Sequence, residues 1–229
     1  MQQIIFVVLL IFSLAVKSKQ ATMLTFGYAE FPPYTYTNKL GQPDGTFIKQ
    51  VGQILSDAGY RHTAIPLPTK RLMKLLATGE VDIWLSIDRQ YEYNDIALVG
   101  QQVVGEVILN LYSINQKAVS GLQDLNHNTV IIIRGYHYGG ALDYILDKNN
   151  HIKSFVTQSH ESAFNMLSLK RADYLLAYQT PAEMLLQQKP IDNIVSTKLS
   201  HLPFYFVVSK QTPRAETVLQ QLEAALPKH

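Results

Sequence analysis

Strand-like and helix-like patterns alternate along this chain. Leu24 to Tyr28 is a short apolar run of strand length. After Asp44-Gly45, Phe47, Val51, Ile54 and Leu55 recur at helical spacing until Gly59 stops them. Thr63 to Leu67 predicts a strand closed by Pro68. Thr69 reads as the N-cap of a helix carrying Leu72, Leu75 and Leu76, ended by Gly79. Val81 to Ile87 and Val103 to Tyr112 predict two more strands. The second half repeats this rhythm. Val130 to Ile133 predicts a buried strand, and a helix begins at Gly139 and runs to Leu146. Ser159 caps a helix through Ala163, Met166 and Leu167, and Tyr174 to Tyr178 predicts a strand. Thr180-Pro181-Ala182-Glu183 has the order of N-cap, Pro at the first helical position and Glu two further on. Phe204 to Val208 predicts a last strand, and Thr212-Pro213 opens a terminal helix through Val218, Leu219 and Leu222. This alternation predicts an α/β fold.

The first residues stand apart from the pattern. Ile4 to Val16 is almost continuously apolar, and Lys17-Ser18-Lys19-Gln20-Ala21 is polar. The run is too short to span a bilayer and has the length of a signal-peptide core. Residues 1–21 are therefore expected to be a leader. N-terminal sequencing of the exported form should begin after the first 18 to 21 residues. Removing the leader takes Lys17 and Lys19 with it, so the formal charge falls from +2 to zero. No dense Lys/Arg stripe remains, which argues against nucleic acid as a partner. There is no cysteine. Disulfide scaffolds, thiol catalysis and cysteine zinc sites are excluded.

Two turns carry the candidate chemistry. Phe31-Pro32-Pro33-Tyr34 follows the first predicted strand. Arg134-Gly135-Tyr136-His137-Tyr138-Gly139-Gly140 follows Val130 to Ile133. In open α/β folds ligands sit at the carboxyl ends of strands, against such turns. Two of them predict two lobes facing one cleft.

The order of motifs resembles the family 3 extracellular solute-binding proteins, the amino-acid ABC transporter type. The likeness runs from Leu24 to the terminal helix. Phe31-Pro32-Pro33-Tyr34 resembles the first aromatic loop of that family. Gly41 to Gly45 with Phe47 and Val51 resembles the start of its first helix, and Arg71 to Asp82 its helix-Gly-x-x-Asp-strand element. Leu122 to Leu125 followed by Val130 to Gly135 resembles the opening of lobe two, and Met166 to Thr180 a late strand. The resemblance implies the two-lobed type II periplasmic binding fold, each lobe a mixed sheet flanked by helices. Lobe one would be residues 22–106 plus 203–229 and lobe two residues 107–202. The chain would cross between them at Val104 to Leu109 and at His201 to Phe204.

It also implies candidate ligand residues. Phe31 aligns with the ring that stacks on ligand in the family. Tyr28, Tyr34, Trp84, Tyr136, Tyr138 and Tyr178 fall at strand ends or turns, where rings offer apolar faces and polar tips. Trp84 alternates with Leu85 and could equally lie in the core. Family members that bind amino acids grip the carboxylate with an Arg after the strand matching Val81 to Ile87. Here that loop is short, leaving Arg89 or Arg71 as substitutes, each equally able to form a surface salt bridge. Thr69 and Ser86 complete the lobe-one set. In lobe two, Gly135, Tyr138, Gly139 and Gly140 would present backbone N–H groups at a helix start, with Arg134 beside them; the glycines also fit a mere tight turn. Gln179 stands where the family places an Asp against an α-ammonium. Ordinary amino acids are therefore expected to bind weakly, unless Glu30 compensates.

Catalytic patterns are absent. The histidines lack metal-ligand spacing, and no Gly-x-Ser-x-Gly elbow occurs. His137 stands out as a lone cleft-facing group, most simply a hydrogen-bonding one. Neither cofactor nor metal is expected. The sequence reads as an exported, monomeric binding protein for a small polar or anionic metabolite, serving an inner-membrane ABC permease. Two rivals share the fold. One is a lyase like the cyclohexadienyl dehydratases, for which Glu30, Asp88 and Glu92 are the candidate acids. The other is a sensor that docks on a membrane receptor.

Overall fold

The computed structural model describes residues 22–87, 95–115 and 119–227. The apolar leader, Asp88, Arg89 and Glu92 lie outside them. The first half of the chain builds β1 (Met23–Tyr28), a hairpin of β2 (Tyr36–Thr37) and β3 (Pro43–Asp44), α1 (Thr46–Asp57), β4 (Arg61–Pro66), α2 (Thr69–Thr78), β5 (Ile83–Ser86) and β6 (Ala97–Val99). Then come β7 (Gly105–Ile114), β8 (Thr129–Ile133), α3 (Ala141–Leu146), β9 (Lys153–Thr157), α4 (His160–Ser168) and β10 (Tyr174–Tyr178). The chain closes with α5 (Gln179–Gln188), β11 (Ile194–Ser209) and α6 (Ala215–Ala224).

The strand order is β4-β1-β5-β11-β7-β10-β8-β9, with β6 also on β11. Each half repeats one plan. β1 is flanked by parallel β4 and β5, and β8 by parallel β9 and β10. Beyond β5 and β10 lie the antiparallel strands β11 and β7. These two pair with each other from Ile194–Ile114 to Phe204–Gly105, so both halves share them.

One carboxylate locks each half in the same way. Asp82, just before β5, accepts the Thr25 N–H of β1 at 2.8 Å and the Thr212 hydroxyl at 2.8 Å. Asp173, just before β10, accepts the Thr129 N–H of β8 at 2.8 Å. The helices preceding both acids end in a left-handed residue, Gly79 (φ 78°) and Lys170 (φ 52°).

Helices cover both faces of each half. In β1, Leu24, Phe26 and Tyr28 face the core shared with Val51, Ile54 and Leu55 of α1. In β10, Tyr174, Leu176 and Tyr178 join that same core, while Leu175 and Ala177 pack against Phe164 and Leu167 of α4. The alternation follows from the period of two along a strand.

Several expectations shift. Thr69 is the first residue of α2, and Pro68 precedes it without a side-chain cap. Thr180 lies inside α5, which Tyr178 opens. Ser159 does cap α4, in a reciprocal box with Ser162. The last strand extends far beyond Phe204 to Val208, and β6, β9 and the hairpin are not among the predicted strands.

Candidate functional site

The carboxyl ends of β1, β8 and β10 converge, and aromatic rings fill the space between them. Phe31, in the turn after β1, lies 4.9 Å from Tyr34, 5.2 Å from Tyr136 and 4.8 Å from Tyr178 between ring centroids. Tyr136 lies 5.3 Å from Tyr178 and 5.9 Å from Tyr138. Tyr138 stacks on Tyr178 at 5.6 Å. Two turns and the end of β10 thus supply one cluster, with edge-to-face and stacked geometries that favour ring quadrupoles.

Local backbone chemistry sets each ring. Pro32-Pro33 is a cis bond, and the Thr46 and Phe47 N–H groups donate to the Pro33 and Tyr34 carbonyls at 3.2 and 2.9 Å. The Phe31 turn is therefore stitched to the start of α1. Tyr34 stacks on Phe47 at 5.3 Å. In the second turn Tyr138, Gly139 and Gly140 all have positive φ. Tyr138 is held in that unusual state by its own hydroxyl, which accepts the Ile133 N–H at 2.7 Å. Its N–H donates to the Tyr178 hydroxyl at 3.1 Å. A Cβ on Gly139 would come within 2.3 Å of the tip of the Leu202 side chain, and its φ of 58° is one that side chains rarely adopt, so glycine suits this turn on both counts.

The other expected residues take varied places. Tyr28 is buried in the core, with its hydroxyl 2.9 Å from Thr37 Oγ1. Trp84 packs with Leu76, Val81 and Val207 on the α2 side, so it belongs to that core face. Ser86 is buried opposite Tyr205. Thr69 and Arg71 sit in the first turn of α2 with Arg71 exposed, and Arg134 and Gly135 are exposed after β8. The structure brings neither Arg71 nor Arg134 into the ring cluster. The Tyr138 N–H of the second turn is taken by the Tyr178 hydroxyl, and α3 begins after Gly140 without a side-chain cap. Gln179 donates through Nε2 to Glu183 Oε1 at 2.6 Å, one turn along α5. Glu30 accepts the Thr37 N–H and hydroxyl at 3.1 and 2.6 Å and is committed to the hairpin. His137 is exposed.

Sequence reasoning missed two residues. Glu183 lies near enough to push up the Tyr34 and Tyr112 phenols, although burial is the main cause for both. Thr180 opposes the rise at Tyr34 by hydrogen bonding to it. His160 opens α4 with its ring 5.6 Å from Tyr136. Only spatial proximity marks either residue.

Burial governs the electrostatics of the cluster. It pushes the Tyr136 phenol up to about 12, and the Tyr138 and Tyr178 phenols further in the same direction. It pushes the His160 imidazole down to about 4 from its ordinary 6.5. The unfolded chain accordingly takes up a proton below its ordinary value that the folded chain refuses until about 4. Stability should therefore decline as pH falls through that window, by at most about 1.4 kcal/mol per pH unit from this group. Calorimetric melting across the window should show a shallower decline for His160→Gln than for the wild type. Parallel declines would contradict the burial of this imidazole.

No protein-family model matches the chain, and no curated protein does. Solved structures do. A histidine kinase sensor domain with similarity to periplasmic binding proteins is 16% identical, covering 90% of this chain and 88% of that one, with a TM-score of 0.68. An ancestral arginine-binding protein bound to arginine is 18% identical over 89% of this chain and 90% of its own, with a TM-score of 0.66. An ancestral amino acid-binding protein, described as a precursor of cyclohexadienyl dehydratase, is 19% identical over 89% and 87%, also with a TM-score of 0.66. The chain has the two-lobed type II periplasmic binding fold, as its motif order implies.

Proposed function

We propose that this chain is an exported solute-binding protein that encloses a small polar metabolite between two lobes. Lobe one is residues 22–106 plus 203–229, and lobe two is residues 107–202. The observation that carries this reading is the meeting of Phe31 with Tyr136 and Tyr178, which joins the strand ends of both halves at one place. Ligands of open α/β folds sit at such ends. The paired strands β7 and β11 are the axis about which the lobes close. The arginine-bound neighbour supports capture of a small molecule. A neighbour that is the substrate binding protein of an amino acid ABC transporter supports delivery to a permease, and the sensor-domain neighbour supports a sensory role as the second reading. The apolar residues 4–16 support export, and no described helix is long and apolar enough to cross a membrane.

Binding without catalysis is the better reading of the site. Glu30, one of the acids a lyase would need, is bonded to Thr37. The described carboxylates with a clear shift, Asp44, Asp124 and Glu161, are all pushed down by Lys49, by Ser120 and by Lys189. A general acid requires the opposite shift. Small-angle scattering tests lobe closure. The radius of gyration should fall when the metabolite released from the purified protein is added back to stripped protein. An unchanged radius with a proven ligand would show a rigid site.

A further inference from the structure

One polar atom at the edge of the ring cluster has no partner. Nε2 of His160 is buried and makes no hydrogen bond among the described residues. Its ring lies beside Tyr136, which in turn touches Phe31 and Tyr178. Folded proteins leave few buried polar atoms unpaired, and those that persist call for an explanation. Asn110 Oδ1 is unpaired too, but its amide nitrogen already bonds Ser196 at 3.0 Å within the β7–β11 pair. His160 has no such anchor among the described residues.

The chemistry of the surroundings defines a guest. Five rings converge there: Phe31, Tyr34, Tyr136, Tyr138 and Tyr178. They offer faces for stacking. The described hydrogen bonds among them join neutral groups only. Burial keeps the phenols protonated and the imidazole unprotonated. Glu183 acts on Tyr34 from an exposed position in α5, whereas burial and Tyr34 alone shift the Tyr136 phenol, so a charged guest in the place of Tyr136 pays the same desolvation cost. A neutral imidazole nitrogen and a phenol can each bond a hydroxyl or a carbonyl group. The Tyr136 ring is only partly buried and its phenol makes no hydrogen bond among the described residues, so displacing it breaks ring and apolar contacts but no side-chain hydrogen bond.

We propose that the place held by the Tyr136 ring is the seat of an uncharged, ring-shaped ligand bearing hydroxyl or carbonyl groups, with Nε2 of His160 as its polar anchor. The proposal rests on the solute-binding reading and deepens it. Phe31 and Tyr178 remain as the stacking walls when Tyr136 swings aside. A pyranose sugar and a phenolic alcohol share this chemistry.

The test has two arms, on wild type and on His160→Leu. First, the melting temperature of the unliganded protein is measured. Leucine removes the unpaired nitrogen and keeps an apolar body, so the variant should melt no lower than the wild type. A clear fall would show that the imidazole has a structural role, and the anchor assignment would be wrong. Second, stripped protein is titrated calorimetrically with D-glucose, tyrosol, L-arginine and L-glutamate. Glucose binding identifies a sugar-type guest and tyrosol binding a phenolic one. Either should weaken at least tenfold in His160→Leu. Equal binding by the variant overturns the anchor, and silence from both neutral probes overturns the ligand class. Binding of arginine or glutamate alone would also overturn this inference while leaving the solute-binding reading intact. That reading fails separately, if native protein releases no small molecule and no probe, neutral or charged, binds the stripped protein.

Discussion

Gly45→Ala should loosen the Phe31 turn and lower the stability of the chain with it. Gly45 has φ 123°, and a Cβ there would stand 2.2 Å from the Tyr34 carbonyl oxygen and 2.6 Å from its carbon. The obstacle is backbone, so no rotamer change relieves it. The neighbouring Thr46 and Phe47 N–H groups tie Pro33 and Tyr34 to the start of α1. Either those bonds or the helix start must give way. Left-handed strain of roughly 1–2 kcal/mol and overpacking of roughly 1–3 kcal/mol together imply about 3 kcal/mol. That corresponds to a melting temperature lower by about 10 °C for a chain of this size. Gly41→Ala is the control. Its φ is 74°, but open space surrounds its Cβ position, so only the conformational strain applies. Equal melting temperatures for the two variants would refute the close approach at Tyr34.

The second large effect is on binding. Phe31→Ala should raise the dissociation constant of the released metabolite about a hundredfold, which corresponds to roughly 3 kcal/mol. Phe31 is the ring that touches Tyr34 in the turn after β1 as well as Tyr136 beyond β8 and Tyr178 at the end of β10, so its loss removes a wall from both sides. Trp84→Phe should leave binding unchanged, because Trp84 packs under α2 away from the cluster. Isothermal titration separates the two. A larger loss from Trp84→Phe than from Phe31→Ala would relocate the site to the α2 side.

Much of this fold was legible because its buried strands are apolar and bounded. Val130 to Ile133 and Tyr174 to Tyr178 read directly, and Gly79 marked the end of α2. The length of β11 did not read. Ile194 to His201 mixes Ser, Thr, Lys and His because only part of that stretch is covered, and its pairing with β7 is what makes it a strand. Thr180 failed as a cap because the helix begins earlier, at Gln179, with Tyr178 in the cap position. Phe31, read from the family resemblance, and Tyr34, Tyr136, Tyr138 and Tyr178, read from their places at turns and strand ends, lie in one cluster. Tyr28 and Trp84 were drawn in by the same rule, but strand alternation turns them into cores on opposite faces. His160 could not have been found. Its significance depends on a turn more than twenty residues earlier, brought alongside by α4 and β8 packing.

The most direct test of the central claim is native mass spectrometry of protein purified from the exported fraction without denaturation. The account predicts a small-molecule adduct that dissociates on unfolding and is lost in Phe31→Ala. It also predicts a chain beginning after residues 18 to 21. A bare chain that no small molecule stabilises, or one that still begins at Met1, would contradict an exported protein built to capture a solute.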